Sequence, residues 1–247
     1  MSLKAFINYP ISSAINKVFF NEMRSRISLP IFLFLVGAGL ATTASAELFS
    51  RGGGMVYDSD LNVTWLADAN YAATQYAESC GAIGTVDGQM TWPEAVRWAE
   101  NLDVGGYHDW RLPTAPVDDA SCDGKPIFTY GSHCMGGEMS HLFYGDIKHG
   151  LGGKLGDNII KTHNANYLLF HNFSAYGVYW TGTNFPPFGQ IVFNFHTREG
   201  FSNANSKSVH NYAMAVRDGD VAEVDVESDD VESDDVHPEQ KRAPNCK

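Results

Sequence analysis

Eight histidines fall between Glu47 and Asp220, and His141, His149, His163 and His171 bracket two short segments in the way metal ligands can. A zinc protease site needs two histidines four apart on a helix with a general-base glutamate between them. No histidine pair here has that spacing and no His-Glu-x-x-His occurs, so these side chains read as surface or hydrogen-bonded histidines. Asp58, Asp60 and Asn62 alternate like the opening of a calcium loop. Such a loop continues with glycine and ends on a bidentate glutamate, but Val63 and Ala69 stand at those places. Turn chemistry explains the two acids better. Nucleophilic catalysis lacks its signature too, since there is no Gly-x-Ser-x-Gly. Neither a cofactor nor a metal is expected.

Directional binding is the chemistry that remains. From Asn184 to Asn205 the chain is rich in loop residues, and Asn184, Gln190, Asn194, Arg198 and Asn203 supply donors and acceptors. Phe185 and Phe188 offer ring faces on which a sugar could stack. The region from Glu47 to Asp220 holds 19 acidic and 10 basic residues, a balance of −9, with no basic stripe. That excludes nucleic acid and disfavours sulfated glycans, leaving a neutral glycan or a cationic surface as the partner. The sequons at Asn62 and Asn172 match the glycosylation pattern but add nothing to the binding argument.

These groups must be positioned by local elements that the sequence marks out. Thr91 and Glu94 have capping-box spacing, Pro93 suits a first helical turn, and Trp92, Ala95, Val96, Ala99 and Leu102 recur at helical period. The spacing predicts a helix from Trp92 to about Leu102, stopped by Gly105-Gly106 and followed by an extended Tyr107-His108-Asp109-Trp110-Arg111-Leu112-Pro113. Met55-Val56-Tyr57 and Val63-Thr64-Trp65 are β-prone around a Ser59-Asp60-Leu61-Asn62 turn. Gln190 to His196 reads as a half-buried strand, Gly200 to Ser206 as a polar loop, and Tyr212 to Arg217 as a final strand. Trp65, Trp92, Trp98, Trp110 and Trp180 read as core residues. Short strands around helices indicate an α+β fold in one domain over residues 47–220.

Residues 1–46 read as a secretory signal. Arg24 and Arg26 precede an apolar run from Ile31 to Leu40, and Ala44-Ser45-Ala46 forms a cleavage site before Glu47. Translation from Met23 would give the more ordinary leader. After cleavage no stable membrane span is expected, and the product is periplasmic or extracellular. There Cys80, Cys122, Cys134 and Cys246, which lack Cys-x-x-Cys spacing, are disulfide candidates rather than metal ligands. Residues 221–247 are acidic and free of aromatics, with Val226-Glu227-Ser228-Asp229-Asp230 repeated at once as Val231 to Asp235, and are expected to be disordered.

The helix, Gly turn and Asp-Trp-Arg-Leu-Pro together resemble the Lcl C-terminal domain family, named after a bacterial collagen-like adhesin. Gly53-Gly54-Met55-Val56-Tyr57-Asp58 with Asn62 to Leu66, Glu138 to Tyr144, Tyr179-Trp180-Thr181-Gly182-Thr183 and Ala215 to Asp220 are similar to the family's other blocks, in its order. The resemblance implies a C-type-lectin-like α+β domain with two main helices, exported and without established catalysis. It also implies a Cys122–Cys134 disulfide, because members often carry a cysteine pair before the second helix. For Cys80 and Cys246 the choices stay open: paired with each other, or Cys246 free or bonded to another molecule. The related formylglycine-generating oxidases use cysteines in a late strand, and the late blocks here contain none. The expected function is therefore a non-catalytic, glycan-binding or adhesive domain. An enzyme of unknown type on that oxidase-like scaffold, or an envelope structural or assembly factor, is the alternative.

Overall fold

The structure is a computed structural model that describes residues 47–123, 131–145 and 150–221. The expected signal segment, most of the acidic tail and Cys246 lie outside the described residues. Short β-prone stretches open the chain: β1 (Leu48–Gly52), β2 (Met55–Asp58) and β3 (Val63–Leu66). Helix α1 (Tyr71–Glu78), strand β4 (Gln89–Met90) and helix α2 (Trp92–Glu100) follow. Next come β5 (Gly131–Ser132), α3 (Glu138–Tyr144) and a 3-10 turn at Ala165–Leu169. The last strands are β6 (Val178–Asn184), β7 (Ile191–His196), β8 (Phe201–Ser206), β9 (Asn211–Tyr212) and β10 (Val216–Asp218). The fold is a mixed α+β domain with two sheets, ordered β1-β2-β3-β10 and β4-β9-β6-β7-β8-β5.

The first hairpin follows its sequence pattern. β2 and β3 pair antiparallel from Met55 opposite Leu66 to Asp58 opposite Val63. Asp58 is fully buried, and its Oδ1 accepts the Asp60 and Leu61 N–H groups at 3.1 and 3.2 Å, so it shapes the turn. Burial raises its carboxyl above the usual range, and His141 beside it pulls partly the other way.

Helix α2 begins as expected and ends earlier. The Glu94 carboxylate accepts the Thr91 N–H at 2.9 Å and the Thr91 hydroxyl at 2.6 Å. The hydroxyl thus turns to the carboxylate, and the reciprocal bond from Glu94 N–H is the weaker half of the capping box. Those bonds, led by the Thr91 hydroxyl, hold the Glu94 carboxyl below the usual range. The helix stops at Glu100, because Asn101 caps it: its Nδ2 and its backbone N–H both donate to Arg97 O. Gly105-Gly106 instead make a tight turn between Val104 and Tyr107, both at positive φ, which no β-carbon favours.

Other elements differ from expectation. Helix α1 is not among the expected elements, so the described residues hold three α-helices rather than two. Gly200 to Ser206 is not a loop, since β8 pairs with β7 along its whole length from Phe201 opposite His196 to Ser206 opposite Ile191. Asn and Ser are poor strand formers, but a neighbouring strand and burial override that preference. The expected last strand splits: β9 joins the six-stranded sheet and β10 the four-stranded one.

The core explains the tryptophans. Trp65, Trp110 and Trp180 are at most 2% exposed. Ala95 and Ala99 of α2 pack with Trp180, Val192 and Met90, while Leu142 and Phe143 of α3 pack with Tyr179 and Phe195. Cys122 and Cys134 form a disulfide, and Cys80 is also disulfide-bonded. Asp119 secures the same loop, accepting from Ser121 N–H and hydroxyl through Oδ1 and from Gly136 N–H at 2.8 Å through Oδ2.

Three arginines clasp distant segments through bidentate carboxylates. Arg51 holds Asp220, Arg217 holds Asp109, and Arg111 holds Glu138 with two 2.8 Å bonds while also reaching Asp218. The Glu138 side chain is only 13% exposed, whereas that of Asp218 is 77% exposed and keeps its water. Replacing Arg111 with Met is expected to cost about 2 kcal/mol, because Glu138 is left half-buried without its counter-charge. Urea denaturation checks this, and an unchanged midpoint would show that the clasp carries no stability.

Candidate functional site

Three loops meet at the end of the six-stranded sheet where β7 turns into β8. Thr197, in that turn and 2% exposed, donates its N–H and hydroxyl to Gly177 O at 3.0 and 3.2 Å. Ile159 N–H donates back to Thr197 O at 3.1 Å, and Gly156 N–H donates to Glu199 O at 2.9 Å. Asn158 Nδ2 donates to Ala175 O at 2.6 Å, joining the other two loops directly. The Tyr144 hydroxyl donates to Gly200 O, which ties the turn to α3. Gly200 sits at a φ of 72°, and a β-carbon there would press on Phe143 and Tyr144. The loops are therefore fixed before any ligand arrives.

Between them lies a pocket of about 420 Å³. Its rim carries Tyr176, 73% exposed, with the Arg198 guanidinium 5.3 Å from the ring centroid. The Lys161 ammonium supplies a second cation, with no hydrogen bond or ion pair to the described residues. Asp157 and Glu199 supply carboxylates, and the Thr162 hydroxyl donates to Asp157 Oδ2 at 3.4 Å. Glu199 lies 3.5 Å from Arg198 and 3.7 Å from His196. Burial holds the His196 imidazole below its usual range, partly offset by Glu199, so it is neutral near pH 7 and adds no charge. Donors and acceptors thus surround an exposed ring in a setting suited to hydroxyl-rich ligands.

Of the residues expected to bind, only Arg198 lines this pocket. β7 is six residues long, about 17 Å at ordinary strand rise, and a meander places successive turns at opposite ends. Asn184, Phe188 and Gln190 are exposed in the β6–β7 turn, at the far end from Arg198. Phe185 is 5% exposed, stacks on Phe188 and meets Phe193 edge-on, so it is a core residue rather than an open platform. Asn194 is 1% exposed in mid-strand, opposite Trp180 and Asn203, and its amide has no hydrogen-bond partner among the described residues. Asn203 is half-buried, and its Oδ1 accepts the Ala204 N–H at 2.8 Å. The seven residues do not converge.

Sequence reasoning missed Asp157, Asn158, Lys161, Thr162 and Tyr176. The available signal was an aromatic in a short Ser174-Ala175-Tyr176-Gly177 turn, where no core position is required. The one potential metal cluster among the described residues is Asp119, Cys122 and Cys134, and its sulfurs are joined covalently, so neither is a thiolate ligand. No helix among the described residues is long and apolar enough to cross a membrane. Comparisons with protein-family models, curated proteins and solved structures find no match to this chain.

Proposed function

We propose that this chain is an exported, non-catalytic binding domain of the Lcl C-terminal type, with a C-type-lectin-like arrangement, that holds a neutral glycan at the Tyr176 pocket. One observation carries the reading: three loops cross-linked by backbone hydrogen bonds present Tyr176, Arg198, Lys161, Asp157 and Glu199 around one pocket. Sugars are recognised by ring stacking combined with groups that both donate to and accept from hydroxyls. The balance of −9 over residues 47–220 disfavours polyanionic glycans. The Cys122–Cys134 disulfide suits an oxidising compartment, and the first and last strands sharing one sheet suit the C-type-lectin-like arrangement.

A glycan array probed with the secreted chain tests the proposal. Tyr176→Ala is expected to weaken retention on a bound glycan about tenfold, the effect of losing roughly 1.4 kcal/mol of stacking. Arg198→Ala should act in the same direction, while Phe188→Ala, at the other end of the sheet, should leave retention unchanged. Retention that depends on Phe188 and ignores Tyr176 would place the site in the β6–β7 turn instead.

A further inference from the structure

A second cavity, about 580 Å³, lies between α1 and α2 and has a different chemistry. Its floor is apolar, with Met90 and Leu102 each 2% exposed and Trp98 half-buried beside them. The loop after α1 forms the facing wall and is held in place from several sides. Ser79 Oγ accepts the Ile83 N–H at 2.9 Å, Thr85 N–H donates to Ala72 O, and Cys80 is disulfide-bonded. At Gly84, φ is 81° and a β-carbon would lie 2.0 Å from Ala72 O, so the loop backbone rests directly on α1. Yet Ile83 in this wall is 53% exposed. The volume falls in the roughly 300–1,000 Å³ range of small-molecule sites.

The polar groups of the cavity are unbalanced. Trp98 Nε1 donates to Gln75 Oε1 at 2.7 Å, and the Gln75 amide N–H groups have no partner among the described residues. The Arg97 guanidinium has no hydrogen bond or ion pair with the described residues, although its charge acts on Glu94 one turn before it. The Thr85 hydroxyl is buried and has no hydrogen-bond partner among the described residues. Acceptors are largely engaged, because Glu94 receives the Thr91 N–H and hydroxyl at the helix cap. An occupant must therefore bring acceptors, and the apolar floor requires the rest of it to be apolar. Asp103, an exposed lining carboxylate 3.9 Å from His108, limits how much negative charge the occupant can carry.

From this we infer that the α1–α2 cleft binds a small amphiphile with an apolar body and a single carboxylate, held by Arg97, Gln75 and Thr85. Calorimetric titration of the full secreted chain with dodecanoate, below its micellar concentration, provides the test. One saturable site is expected, together with a shift of the Trp98 indole N–H resonance. Arg97→Gln should weaken dodecanoate about tenfold, as loss of a charge-assisted hydrogen bond does, and dodecanol should bind the unaltered protein comparably weakly. The Arg97 guanidinium holds no described residue by a hydrogen bond or ion pair, and glutamine keeps the backbone carbonyl that Asn101 caps, so the substitution should leave the fold intact. Thr85→Val should weaken dodecanoate about threefold through the lost hydroxyl, and Arg97→Lys should restore part of the affinity. Absence of saturable binding, equal binding of dodecanol, or tighter binding of dodecyl phosphate would each overturn the assignment.

Discussion

Replacing Trp180 with Ala is expected to produce the largest loss of stability of any change considered for this domain, about 4 kcal/mol. Trp180 is 0% exposed in the middle of β6, opposite Asn194 of β7, and packs with Val192, Met90 and the alanines of α2. Its Nε1 donates to Met90 O at 2.9 Å, so the ring also links β6 to β4. Alanine removes the packing, opens a cavity and leaves that contact unmade. The backbone around it is locked in the sheet, so collapse to refill the space is limited. In thermal denaturation the midpoint should fall by roughly 8–16 °C for a domain of this size. Trp180→Phe retains most of the volume and loses the hydrogen bond, and should cost only about 1–2 kcal/mol. A Trp180→Ala midpoint within a degree or two of the unaltered protein would mean that this ring is not a keystone of the sheet.

The second large effect is expected from the Cys122–Cys134 disulfide. The bond joins residues 12 apart, and closing a loop of that size in the unfolded chain stabilises by about 3 kcal/mol in the chain-entropy description. Its neighbourhood adds a packing cost, because Asp119 holds Ser121 and Gly136 on either side of it. Replacing both cysteines with serine isolates this effect from Cys80, which a reductant would also attack. The double variant should unfold at lower urea, and peptide mapping of unreduced protein should recover the Cys122–Cys134 linkage. Free thiols at both positions in protein purified without reductant, or an unshifted midpoint, would contradict the expectation.

Acid should act on the carboxylates unequally. Asp109 and Asp220 are held below the usual range, chiefly by hydrogen bonds from Arg217 and Arg51. Their contribution is present above the unfolded carboxyl range and is lost as pH falls through their lowered values. Asp58 works in the opposite sense, since its raised carboxyl favours the folded state at low pH and that advantage disappears as pH rises.

Local chemistry was legible wherever a few adjacent residues decide the outcome. The start of α2 rests on Thr91, Pro93 and Glu94, and the first hairpin on β-prone runs around Asp58 to Asn62, so both form where the sequence places them. The span of α3, Glu138–Tyr144, coincides with the second short helix that the family resemblance, not local chemistry, implied. Where partners far along the chain decide, the sequence was silent or misleading. Asn and Ser in Phe201–Ser206 read as loop because no residue announces that β7 will lie alongside. Phe185 reads as an exposed platform until Phe193 covers it from the neighbouring strand. The end of α2 turned on Asn101 rather than on the glycines, a choice made by one side chain returning to Arg97 O.

The binding surfaces belong wholly to this second class. Lys161, Tyr176 and Arg198 lie in three separate loops, and only the hydrogen bonds of Thr197, Gly156 and Asn158 bring them to one pocket. Gln75 and Arg97 line one cavity because α1 and α2 are joined there by the Trp98–Gln75 hydrogen bond, and Gly84 seats the Thr85 loop against α1. By itself the sequence determined composition, charge, helix caps and turn chemistry, which are properties of neighbouring residues and short-range energies. The tertiary structure alone decided which polar groups are buried, which are satisfied and which remain free to bind, because those depend on desolvation by segments distant in the chain.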